Sequence, residues 1–204
     1  MKYAILAAAL CLLVTSCAEL QVKRDLTHAQ YAQDYKAATS SGTKFEPSGL
    51  CTTSPSFKSW AAFEFTPSNK IYSLPNESNA AAHCLAVPEG AKALEVHGGS
   101  KGGMTYYEAT AIHPSIVFLD RNYEIIRDVQ KPRLKAGEGF FSGLGVSGII
   151  PLVEDLASAK YVVIYVHPLS TAGEIDVYTG YKTIPVPYSP YGTVKARFFN
   201  YYVA

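Results

Sequence analysis

The sequence predicts a mainly β protein: an antiparallel β-sandwich, jelly-roll or Ig-like, with one or two short helices. Three observations carry this. From residue 57 onward, apolar or alternating segments of strand length recur, turn residues part them at short spacing, and one segment alone reads as helical. About eight to ten strands result, with no repeat period of about 20–50 residues to indicate a solenoid or propeller.

The chain opens MKYAILAAALCLLVTSCAEL. Lys2 precedes an apolar run from Ala4 to Val14, and Thr15-Ser16 leads directly into Cys17. The run is too short to span a bilayer, which favours a removable export signal over residues 1–16. VTSC resembles the lipobox of bacterial lipoproteins, in which the cysteine is acylated, with palmitate-type chains, and becomes the first mature residue. An ordinary secretory signal with Cys17 incidental is the alternative. Ala18 rather than Asp follows the cysteine, and in lipoprotein sorting that resemblance implies the periplasm-facing leaflet of the outer membrane.

Removal of residues 1–16 leaves 188 residues, in which Lys+Arg and Asp+Glu balance at 17 each. A balanced surface excludes the basic face that nucleic acid selects and equally a polybasic membrane patch, so the lipid on Cys17 is the expected membrane contact. With Cys11 discarded and Cys17 acylated, Cys51 and Cys84 remain. In an oxidising compartment two thiols most simply pair with each other. Closing the 33-residue loop contributes roughly 3–4 kcal/mol in the chain-entropy model. His83 beside Cys84 has no C-x-x-C or H-x-x-H spacing to make a metal site, and no cofactor is expected.

Residues 17–56 read as a lipidated tether with one short helix. THAQYAQDYKAATSSG opens with a capping-box pattern, Thr27 and Gln30, and stops at Ser40-Ser41-Gly42. The sandwich is expected over 57–204. SFKSWAAFEF alternates, with Phe57, Ala61, Phe63 and Phe65 on one face and Lys58, Trp60 and Glu64 on the other. HCLAV and KALEV flank a Pro88-Glu89-Gly90 turn. LEVHGGSKGGMTYYEATA reads as two strands around a glycine-rich hairpin loop, and SIVFLDRNYEIIRDVQ as two strands around Asp120-Arg121-Asn122. IIPLVEDLASAK is the helical candidate, with Pro151 in its first turn and Lys160 at its end. YVVIYVH has the near-continuous apolar character of a strand buried on both faces. GEIDVYTG alternates again, and GTVKARFFNYYVA is the final strand.

Catalytic patterns are sparse. FSGLGVSGII fails as a G-x-S-x-G elbow, because Ile149 stands two residues after Ser147. HGGSKGG lacks Walker spacing, and its glycines serve a hairpin. The histidines at 28, 83, 97, 113 and 167 are scattered, and His113 and His167 precede prolines as at strand ends. Glu154-Asp155 suits the first turn of a helix. A non-enzymatic protein is therefore expected. The remaining signal is aromatic: fifteen tyrosines, several in pairs, including Tyr106-Tyr107, Tyr188/Tyr191 and Tyr201-Tyr202. A tyrosine ring offers a sugar or a partner surface both an apolar face and a hydroxyl. Tyrosine is also a good strand former, and the single tryptophan is few for a sugar platform, so structural packing is the competing account. Lys195, Arg197, Phe199, Tyr201 and Val203 share one strand parity, a face part basic and part apolar that is suited to being covered. The candidate ligand-binding residues are Tyr106, Tyr107, Tyr188, Tyr191, Arg197 and Tyr201.

The order of FEFTPSNKIYSL, CLAVPEGAKALEV, SIVFLDRNYEIIRDV, GIIPLVEDLASAKYVVIYVHPLSTAGE and IPVPYSPYGTVKARF resembles the maltose operon periplasmic protein family, over about three-quarters of the mature chain. The lipobox, the cysteine pair and the short C-terminal end depart from its best-known members. The resemblance implies an exported, non-enzymatic accessory protein associated with uptake of maltodextrin-like sugars. It supplies no binding residues to transfer. The partners expected are therefore the membrane, through Cys17, and an oligosaccharide or another envelope protein, the latter bound through an edge strand or through YSPYGTVKARFFNYYVA.

Overall fold

The computed structural model describes residues 2–54, 56–99, 109–130, 132–136, 145–178 and 183–202, with side chains described from residue 19 onward. The chain begins with a helix, α1 (Lys2–Ala38), followed by β1 (Thr43–Lys44), the single turn α2 (Pro47–Leu50) and β2 (Cys51–Thr52). Then come β3 (Ala61–Phe65), β4 (Ile71–Ser73), β5 (Asn79–Ala86), β6 (Ala93–Gly99), β7 (Ser115–Leu119), β8 (Ile125–Val129) and β9 (Lys135–Ala136). The last strands are β10 (Gly145–Pro151), β11 (Tyr161–Tyr165), β12 (Glu174–Tyr178), β13 (Thr183–Pro187) and β14 (Gly192–Phe199).

These strands make the expected β-sandwich. One sheet runs β1-β4-β5-β11-β7-β8, with β2 also on β5, and the other runs β3-β14-β6-β10-β9; β12 and β13 form a separate ribbon. The long pairings are antiparallel, and the two-residue strands β1 and β2 pair in parallel. Alternation sends Val194, Ala196 and Phe198 of β14, Leu94 and Val96 of β6, and Ile116, Phe118, Val162 and Ile164 of the larger sheet into the space between the sheets. Burying a side chain of this size contributes about 1.5–3 kcal/mol. The outer face of the larger sheet is apolar too: Val117, Leu119, Val163 and Tyr165 are buried there with Phe45, Leu74 and Cys84. β11 is thus covered on both faces, as its unbroken apolar sequence predicts.

Cys51 lies directly opposite Cys84 in the β2–β5 register, Cα atoms 4.3 Å apart, and the two form the expected disulfide. Asp120 closes the β7–β8 turn as predicted: its Oδ1 accepts from the backbone N–H groups of Asn122 (2.7 Å) and Glu124 (2.9 Å).

Four sequence expectations are corrected. The helix does not start at Thr27. α1 is already helical there, so Thr27 donates back to the Lys23 carbonyl (2.9 Å) and Gln30 donates to Asp34 (2.7 Å). A capping box starts a helix only where the preceding residues are not helical, and AELQVKRDL contains no breaker. The sandwich begins before Phe57, because β1 and β2 already belong to the larger sheet, and residues 17–56 are not a free tether. Tyr35 is buried in the main core, donates to the Val166 carbonyl (2.7 Å) and accepts from the Ala81 N–H (3.2 Å). Pro151 ends strand β10 instead of opening a helix; the helical part shrinks to a 3-10 turn over Glu154–Ser158, where Asp155 pairs with Arg127 at 2.5 Å. β14 stops at Phe199, short of Tyr201-Tyr202.

The Pro88-Glu89-Gly90 turn is present, with Gly90 at φ +77°, but it carries the chain from one sheet to the other. Gly98 lies inside β6 rather than in a loop. A Cβ there would stand 2.0 Å from the Ile112 carbonyl oxygen, so the glycine permits a close backbone approach. The second strand expected after HGGSKGG falls largely on 100–108, outside the described residues. Among the described residues, no helix is long and apolar enough to cross a membrane.

Candidate functional site

The outer face of the five-stranded sheet carries a grouping of aromatic and charged side chains. The register of β14 on β6 sets Arg197 opposite Glu95 and Lys195 opposite His97. The Arg197 Nε donates to Glu95 Oε2 at 2.6 Å, and both side chains are partly sheltered. The guanidinium also lies 4.2 Å from the Trp60 ring centre and 5.0 Å from that of Phe199. Phe199 meets Tyr201 edge-on at 5.3 Å, and Lys58 and Lys92 lie over the rings of Tyr201 (5.1 Å) and Tyr202 (5.8 Å). Backbone N–H groups of Lys58 and Lys92 donate to the Phe198 and Phe199 carbonyls, which fixes both lysines beside the end of β14. Trp60 and Tyr201 remain 39% and 46% exposed. Burial first, then the nearby Lys195 charge, hold His97 below the usual histidine range; its ring stands 6.4 Å from Trp60. Chemically, this face offers flat rings, an oriented guanidinium and a carboxylate whose other oxygen can accept hydrogen bonds.

Tyr191 lies elsewhere, at the end of the sandwich beneath α1. It meets Tyr31 and Tyr35 edge-on, at 5.5 and 5.9 Å, and burial raises its phenol above the usual range. Tyr31 and Tyr191 wall a cleft of about 450 Å³ between α1 and the turn after β3. Tyr188 occupies a third position. It packs edge-on against His113 at 5.0 Å and lines a hollow of about 300 Å³ with Ser170, Gly173 and Glu174.

The predicted residues therefore divide. Arg197 and Tyr201 fall in one group, linked through Phe199 although β14 ends before Tyr201, while Tyr191 and Tyr188 belong to separate surroundings, and Tyr106 and Tyr107 lie outside the described residues. Trp60 and Glu95, with Lys58, Lys92 and His97, belong to the outer-face group but are not among the candidates from the sequence. The outward parity of Trp60 in SFKSWAAFEF was the available signal; that of Glu95 in KALEV requires the β6–β14 register. His167 is a local cap, its Nδ1 accepting from the Leu169 N–H at 3.0 Å. Among the described residues, no group of three His, Cys, Asp or Glu side chains stands close enough to hold a metal ion. No family model matches the chain, and no curated protein matches it significantly.

Proposed function

We propose that the protein is a lipid-anchored, non-enzymatic accessory module of the bacterial envelope that binds α-glucans in the service of their uptake. Cys17 is its membrane attachment, and the outer face of the five-stranded sheet is its glucan surface. The observation that carries this reading is the Trp60–Arg197–Glu95 arrangement, bordered by Phe199 and Tyr201. A glucose ring presents an apolar face to an aromatic side chain and a rim of hydroxyls to hydrogen-bonding groups. A held guanidinium and carboxylate meet that rim without further ordering cost, and an open sheet face accommodates a chain longer than one sugar. The lipobox and the ordered sequence segments supply the cellular setting.

Electrophoresis through a native gel containing starch tests the proposal. Retardation is expected for the parent and is lost in Trp60→Ala and Arg197→Ala. Unretarded parent protein, with no heat on titration with maltodextrins, removes direct glucan binding.

A second reading is a lipoprotein that binds another envelope protein by strand addition. β14 is interior, between β3 and β6. Of the edge strands β1, β3, β8 and β9 of the two larger sheets among the described residues, β3 follows directly on Trp60 and has β14 on one side only in its sheet, which makes it the edge to test. Crosslinking in intact cells separates the two readings: a crosslink lost in Ala62→Pro and retained in Trp60→Ala points to the edge.

A further inference from the structure

The cleft beneath α1 has a chemistry distinct from that of the outer face. Its walls are apolar and aromatic: Leu20 and Tyr31 from the helix, Phe65 and Pro67 from the end of β3, and Tyr191. Its charged lining is of one sign. Lys23 and Arg24 border it, and among the described residues no Asp or Glu does. Arg24 is buried, its Nε and Nη2 held by Asp25 Oδ1 at 2.8 and 2.7 Å, while Nη1 reaches the Pro185 carbonyl at 3.5 Å. Asp25 thus offsets Arg24, and among the described residues Lys23 forms no ion pair.

His28 follows one helical turn after Arg24. Its Nδ1 is buried and has no hydrogen-bond partner among the described residues. A buried ring nitrogen without a partner is costly, and a ligand oxygen would relieve it. Burial also holds the ring below the usual histidine range, so it is a neutral donor or acceptor at neutral pH. Residues 24, 28 and 31 fall on one helix face, so the cleft presents cation, imidazole and aromatic ring in successive turns.

We infer that this cleft binds a small monoanionic amphiphile, a carboxylate on an apolar body, with the head between Lys23 and His28 and the body along Tyr31, Phe65 and Tyr191. Charge complementarity selects the head: the Lys23 ammonium and, among the described residues, an unpartnered imidazole nitrogen are present, with no described lining carboxylate to repel it. The cavity volume falls within the range of about 300–1,000 Å³ usual for small-molecule sites. The site is separate from the proposed glucan face and does not depend on it.

Titration of the full chain in lipid nanodiscs with octanoate carrying a 13C-labelled carboxyl group tests the inference, with empty nanodiscs as the baseline for partitioning. Saturable binding is expected for octanoate, with octanol and acetate at least tenfold weaker. Lys23→Glu, at an exposed side chain, and His28→Leu are each expected to weaken octanoate at least tenfold while the melting temperature of Lys23→Glu stays at the parental value. Octanol binding as tightly as octanoate overturns the inference, as does parental affinity in Lys23→Glu or the absence of saturable binding. Displacement of octanoate by maltotriose would make the cleft a sugar site. Binding seen only in Cys17→Ala would mean that the chain's own acyl group fills the cleft. Either result also overturns it.

Discussion

Arg197 and Glu95 face each other across β14 and β6 with 2.6 Å between Nε and Oε2, and the guanidinium lies over the Trp60 ring, 4.2 Å from its centre. Neither partner is fully exposed, so each depends on the other for part of its solvation. Glu95→Gln is expected to lower stability by about 1–2 kcal/mol, between the values for exposed and buried pairs. Urea unfolding of the variant and of Glu95→Gln/Arg197→Gln measures it; the double variant should recover part of the loss.

Tyr35 joins α1 to the sandwich through its hydroxyl as well as its ring. Tyr35→Phe leaves the Val166 carbonyl and the Ala81 N–H without that partner and is expected to cost about 1–3 kcal/mol. Hydrogen exchange should show faster opening of α1 near residue 35, with little change in β6 or β14.

The Cys51–Cys84 bond ties β2 to β5. Its removal in Cys51→Ala/Cys84→Ala is expected to lower unfolding free energy by roughly 3–4 kcal/mol. Urea midpoints of the parent with and without dithiothreitol should bracket the same difference.

Burial holds His28, His83 and His97 below the ordinary histidine range; His83 is stacked on Phe63 at 4.9 Å. The folded values lie below the unfolded value of about 6.5, so the unfolded chain binds more protons in the interval between them. The stability these three neutral histidines contribute is present above about pH 6.5 and is lost as pH drops through that interval. Urea midpoints between pH 7.5 and 5 should decline, and His83→Phe should flatten the decline.

Gly98 admits no side chain without displacing the Ile112 carbonyl. Gly98→Ala is expected to destabilise by at least about 2 kcal/mol, read as a drop in melting temperature, whereas Gly49→Ala, with open space around its Cβ, should fall within about 0.5 kcal/mol of the parent.

Local chemistry was legible in the sequence, and long-range placement was not. The Asp120 turn could be read because the residues that make it also cap it. The continuous apolar run 161–165 announced a strand covered on both faces. Pro88-Glu89-Gly90 announced a turn, but whether a turn returns to the same sheet or crosses to the other depends on where the next apolar face finds cover. The start of α1 was hidden by Thr27 and Gln30, whose cap-like spacing also occurs inside helices. The outer-face group draws on residues 60, 95 and 197, from three segments brought side by side only by strand register, so no sequence interval reveals it. The Cys51–Cys84 pair was legible through counting alone.

The unbroken course of α1 has a mechanical consequence. Arg24 and Tyr35 fasten the helix at two points three turns apart, which removes the swivel that a slack leader would provide. Whatever is attached at position 17 is coupled to the body as to the end of a rod, so anchorage there would dictate which way the Trp60 surface faces as well as how far out it stands.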